Sequence, residues 1–76
     1  MQNVEMEYER KELIRAYVKF LDTLPVTERR VFLCRYWYVD SVEAIAEKFG
    51  FSQSKVKTML YRTRKKFRKT LWEEGF

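Results

Sequence analysis

The sequence predicts an all-α domain of four helices, the last two forming a helix-turn-helix that is winged-helix-like but has no wing. Three observations predict it. Apolar residues recur at helical spacing, at 46% of the chain with 17% aromatic, enough for a packed core and against disorder. Two Gly and one Pro in 76 residues are too few for a loop-rich β protein, and this length allows one domain, residues 1–76. A short helical pattern, a glycine turn and a long basic helix follow one another from Val42 to Leu71.

The first helix is expected over residues 9–23, with Leu13, Tyr17, Phe20, Leu21 and Leu24 as its apolar stripe and Arg10, Arg15 and Lys19 outside it. Residues 1–7 offer mixed charge and no cap, so fraying is expected there. Leu24-Pro25 ends the helix, because a residue before proline avoids the α region. The same proline suits entry to a second helix over residues 26–38, with Val31, Cys34 and either Leu33 or Tyr38 facing inward. Tyr36-Trp37-Tyr38 invites a stacking platform for single-stranded bases. Consecutive helical residues point in different directions, however, and core plus an amphipathic rim is the better reading.

Val39-Asp40-Ser41 breaks the pattern. Asp40 or Ser41 caps a third helix, Val42–Phe49; Asp40 with Glu43 would make a capping box, for which Ser41 lacks the partner. Gly50 ends that helix where positive φ is needed, Phe51 anchors the turn, and Ser52 caps the fourth helix, which runs to about Trp72 or Glu74. Val56, Leu60, Thr63, Phe67 and Leu71 recur at steps of four, three, four and four. At about 100° per residue they lie within about 80° of one another. Ser54, Thr58, Tyr61, Arg62, Lys65 and Lys69 fall on the opposite side.

Charge narrows the function. The net charge is +5, and residues 51–76 carry eight basic and two acidic residues while the rest is nearly balanced. A localised basic helix is the footprint expected for nucleic acid, though acidic membranes or proteins could also answer it. The single cysteine, Cys34, excludes an internal disulfide and fits a reducing cytoplasm; it reads as a buried small hydrophobe. With no histidine and one cysteine, no metal site and no cofactor are expected. There is no signal-peptide pattern and no apolar run of membrane-spanning length. No nucleophile–base pair appears, and Glu43 with Glu47 reads as a solvated face, so binding is expected rather than catalysis.

The spacing within residues 42–60 is that of a helix-turn-helix: small Ala46 where two helices approach, Gly50 four residues on, and Val56 ten beyond Ala46. In that geometry the first turns of the second helix meet base edges. Gln53, Ser54, Lys57, Thr58, Tyr61 and Arg62 are then the candidate base-reading residues. Ser52, Lys55, Arg64, Lys65, Arg68 and Lys69 are candidate phosphate contacts, with an exposed solubilising run as the bland alternative for Lys65, Lys66, Arg68 and Lys69. Arg29, Arg30 and Arg35 are further exposed cations, Arg35 also suiting a structural ion pair.

Residues 21–71 resemble the C-terminal domain, region 4, of bacterial sigma-70-type RNA polymerase sigma factors, most closely the extracytoplasmic-function-like group. The landmarks are Leu24-Pro25, Arg29, Val31, Phe32, Arg35-Tyr36, Ser41, Ile45-Ala46, Gly50-Phe51-Ser52, Val56-Lys57-Thr58, Leu60, Arg62 and Arg68. The resemblance implies recognition of the promoter −35 element, with Lys57, Thr58, Tyr61 and Arg62 at positions that usually read or clamp that DNA. It implies docking of RNA polymerase core through the flap-tip helix of its β subunit, in an apolar concavity lined by the early helices. It also allows an anti-sigma factor as partner. Lys55 stands where Thr is common and Met59 where Arg is common, so the preferred −35 sequence does not transfer. A full sigma factor carries a preceding domain that opens the −10 region; 76 residues leave no room for it, and an excised domain or a partial, standalone sigma-like protein is expected, as a monomer.

Two other readings stay open. One is an autonomous helix-turn-helix transcriptional regulator, usually dimeric. The other is an interaction module that binds polymerase or an anti-sigma factor, to which the aromatic residues Phe32, Tyr36, Trp37 and Tyr38 would contribute.

Overall fold

The computed structural model describes residues 4–75, with side chains from Glu9 onward. Four helices follow in order: α1 (Val4–Asp22), α2 (Val26–Tyr36), α3 (Val42–Phe49) and α4 (Gln53–Glu73), with no strand among the described residues. The fold is therefore all-α, as the spacing predicts. Helix α4 packs against the other three.

Helix α1 begins at Val4, ahead of the apolar pattern at Glu9, so Val4–Glu7 falls within its bounds; residues 1–3 of the expected frayed stretch lie outside the described residues. It closes where the Thr23 N–H and hydroxyl both donate to the Phe20 carbonyl, at 3.0 and 2.6 Å. Ala16, Phe20 and Leu24 are its buried line, whereas Leu13, from the expected stripe, is exposed one turn before that line begins.

Helix α2 stops at Tyr36, short of the expected Tyr38. The N–H groups of Trp37 and Tyr38 both turn to the Leu33 carbonyl, at 2.8 and 3.1 Å, and the Asp40 N–H reaches the Cys34 carbonyl at 2.9 Å. Between them Val39 adopts φ 58°. The consequence is that Tyr38 points outward and Leu33 is the half-buried residue. Asp40 does not cap α3, and no capping box forms. Its carbonyl is held by Arg35 Nη1 at 3.0 Å and its carboxylate by Lys48 at 3.8 Å. Ser41 is the cap instead, its Oγ accepting from the Ala44 N–H at 3.0 Å. Arg35 thus serves a carbonyl rather than an ion pair, and it is Arg29 that pairs with a carboxylate, that of Asp22, at 3.7 Å.

Two packed groups make the core. Val31, Phe32, Cys34, Ile45, Ala46, Val56 and Leu60 join α2, α3 and α4. Beside them Phe20 meets Phe67 at 4.9 Å and Phe32 at 6.3 Å, while Tyr17 meets Phe67 edge-on at 5.5 Å, seating α1. Burial among these rings pushes the Tyr17 phenol above its ordinary value of 10.0. The buried Thr63 hydroxyl donates to the Met59 carbonyl at 2.9 Å, so no polar atom of the seam is orphaned.

Helix α2 crosses beneath α4. Glu28, near its start, meets Lys66 at 3.3 Å, and Tyr36, at its end, accepts from Arg64. Those two α4 residues lie about 200° apart around the helix, on opposite flanks. No described helix is long and apolar enough to cross a membrane.

Candidate nucleic-acid interface

The interface begins at the turn between α3 and α4. Gly50 has φ 70°, the left-handed conformation glycine tolerates. The Phe51 N–H closes back on the Ala46 carbonyl at 2.9 Å, and the Phe51 ring packs on the core and stacks on Phe49 at 5.9 Å. Ser52 then caps α4, its Oγ accepting from the Lys55 N–H at 3.0 Å. Ala46 is 7% exposed and Val56 is fully buried, so the two helices meet where the spacing places them. These contacts fix both the direction of α4 and its rotation about its own axis.

That rotation decides what faces outward. Val56, Leu60 and Thr63 are buried and Phe67 and Leu71 half-buried. Gln53, Ser54, Lys57, Thr58, Tyr61 and Arg62 are all exposed. From Gln53 to Arg62 the helix rises about 13 Å, close to the ~12 Å width of a DNA major groove. No acidic residue interrupts α4 before Glu73, and the helix N-terminus adds its partial positive charge.

The residues expected at phosphates divide into distinct settings. Ser52 is committed to the cap through its oxygen lone pair. Lys55 lies with its ammonium 4.0 Å from the centre of the Phe51 ring, at the N-terminal end of α4. Arg64 donates to the Tyr36 hydroxyl at 2.5 Å. With Tyr61, Lys65 and Arg68 it lines a shallow hollow of about 170 Å³ on one flank. Lys69 is exposed on the outward face. Lys66 pairs with Glu28 at 3.3 Å while its side chain stays 54% exposed.

Sequence reasoning missed three of these supports. Tyr36 holding Arg64 and Glu28 holding Lys66 join residues 28 and 38 positions apart, and no local spacing signals them. Phe51 beneath Lys55 is four residues away but acts from a turn, so helical periodicity does not show it.

A family model described as Sigma-70, region 4 matches residues 14–67 of the chain. No curated protein and no solved structure matches it.

Proposed function

The chain belongs to the sigma-70 region 4 family, a family of DNA-binding and polymerase-interacting domains of sigma factors, and on that premise we propose that it reads the −35 element of promoters. The observation that carries the reading is the rotation of α4: Val56, Leu60 and Thr63 are buried, and the basic, hydroxyl-bearing side turns to solvent along a groove's width. Lys57, Thr58, Tyr61 and Arg62 read base edges, with Gln53 and Ser54 at the entry. Ser52, Lys55, Arg64, Lys65, Arg68 and Lys69 hold phosphates, which position the domain without specifying sequence. Leu13, Ile14 and Val18 stay 43%, 55% and 51% exposed on α1, and with Val26 they supply the apolar surface for the polymerase β flap. An anti-sigma factor that covers this surface or α4 would silence the domain.

Selection from a pool of random duplexes by the full chain tests the DNA reading. The expected outcome is one enriched motif, bound at least tenfold more tightly than its scrambled version at 0.15 M salt. Equal affinity for both would remove it. Titration with an isolated bacterial β flap tests the second surface. Saturable binding is expected, lost in a double Ile14→Ala, Val18→Ala variant and kept in Arg62→Ala.

A further inference from the structure

The cations on the flank of α4 are not equivalent. Lys57, Tyr61, Arg64 and Arg68 fall within about 60° of one another around the helix, and Tyr61, Arg64, Lys65 and Arg68 line one hollow. Among the described side chains, Arg64 is the cation of that hollow anchored to another element: its Nη1 donates to the hydroxyl of Tyr36, the last residue of α2. The anchor is itself supported. The Tyr36 ring packs on Phe32 at 4.7 Å, and Phe32 belongs to the core that joins α2, α3 and α4. A line of contacts therefore runs from the core through the phenol to the guanidinium.

The chemistry of the anchor suits a phosphate. A guanidinium carries several N–H donors in a fixed plane, and the phenol oxygen takes one of them, on Nη1. The Nε–Nη2 edge keeps a parallel pair of N–H groups, the arrangement that grips a phosphate through both of its outward oxygens. The phenol is neutral, so Arg64 keeps its full charge. Lys66 is the contrast, since its partner is the Glu28 carboxylate, which offsets part of its charge. An arginine gives up side-chain freedom when it binds a phosphate, and holding it beforehand lowers that cost. An exposed hydrogen bond to a phenol adds little to the fold by itself.

We infer that Tyr36 is a positioning residue for DNA binding. Its hydroxyl presets Arg64 to hold one backbone phosphate at the rim of the groove, and this makes Arg64 the strongest phosphate contact of its flank. The inference rests on the reading of α4 as a DNA-binding helix, but not on which sequence that helix reads. Tyr36 acts through Arg64.

The test measures binding of the full chain to the selected duplex and to its scrambled version across a salt series. Neutral methylphosphonates then replace the backbone phosphates one at a time. Tyr36→Phe keeps the ring on Phe32 and removes only the hydroxyl. It should weaken binding to both duplexes about threefold, with thermal unfolding and the salt slope unchanged because Arg64 still carries its charge. Arg64→Ala should weaken both about tenfold and flatten the slope by about one unit. The double variant should bind no worse than Arg64→Ala. A single methylphosphonate position should erase the effects of Arg64→Ala and of Tyr36→Phe alike, while that duplex still responds to Lys69→Ala. The inference is overturned by a Tyr36→Phe chain that binds like the unsubstituted one. A double variant about threefold weaker than Arg64→Ala overturns it too, since Tyr36 would then act independently. So does the absence of a shared methylphosphonate position. Equal affinity for the selected and scrambled duplexes removes the −35 reading alone, and the clamp stands if both variants still converge on one phosphate. No binding to either duplex removes both.

Discussion

Two turns of this molecule do the same job with opposite means. Each passes through a left-handed residue and, two residues on, starts the next helix with a serine whose oxygen accepts an N–H three residues further, at 3.0 Å. At the α3–α4 turn the left-handed residue is Gly50, and the aromatic neighbour Phe51 folds onto the core. At the α2–α3 turn it is Val39, and the aromatic neighbours Trp37 and Tyr38 stand in solvent. The first arrangement carries no strain and serves to aim α4. The second keeps strain and exposed apolar surface that stability alone does not require. The difference teaches how a turn can be held: one by a residue that tolerates its conformation, the other by contacts that impose it on a residue that does not.

Changes at these turns and at the helix between them can break or sharpen the comparison. The largest effect belongs to Ile45, fully buried on α3. Ile45→Ala should cost about 2–5 kcal/mol in urea unfolding. A cost under 1 kcal/mol would mean that the turns, not the core, hold α3. Gly50→Val comes next, at about 1–2 kcal/mol lost. A Cβ at Gly50 meets nothing within 4 Å, so the whole cost is conformational. The reverse change, Val39→Gly, should raise stability by about 0.5–1 kcal/mol, since relief of the left-handed strain exceeds glycine's entropic cost. A destabilised Val39→Gly would show that the valine packs rather than protrudes.

The smallest effect lies away from both turns and serves as their control. Tyr17 is held neutral by burial, so its folded pKa stands above the unfolded value of 10.0. Its contribution is present below about pH 10 and lost as pH rises through the folded value, because the unfolded chain gives up the proton first. Tyr17→Phe should flatten that alkaline decline while leaving Gly50→Val and Val39→Gly effects unchanged. An unaltered decline would place its cause elsewhere.

Local chemistry made much of this legible. Gly50, Ser52 and the four-three-four-four seam of α4 each obey a rule that acts within a few residues, and each stands where the spacing puts it. Ser41 against Asp40 was a tie on sequence, settled by Arg35 and Lys48 drawing Asp40 away. The end of α2 was not legible, because no propensity places valine at positive φ; tertiary contacts impose it. Phe32 is not among the residues the spacing turns inward on α2, and its burial depends on Phe20 and Tyr17 arriving from α1. On the candidate interface the exposed face of α4 could be read off directly, while the pairings of Arg64 and Lys66 depend on α2 crossing beneath it.

The most direct test of the central claim, that α4 presents its outward face to a major groove, compares Arg62→Ala with Lys69→Ala on the selected duplex across a salt series. Arg62→Ala should lose about 1–3 kcal/mol of discrimination at a single base pair and leave the other positions unchanged. Lys69→Ala should weaken all sequences alike and flatten the slope of log affinity against log salt by about one unit. Equal, sequence-independent losses for both variants would contradict the claim and reduce α4 to a basic surface that binds DNA without reading it.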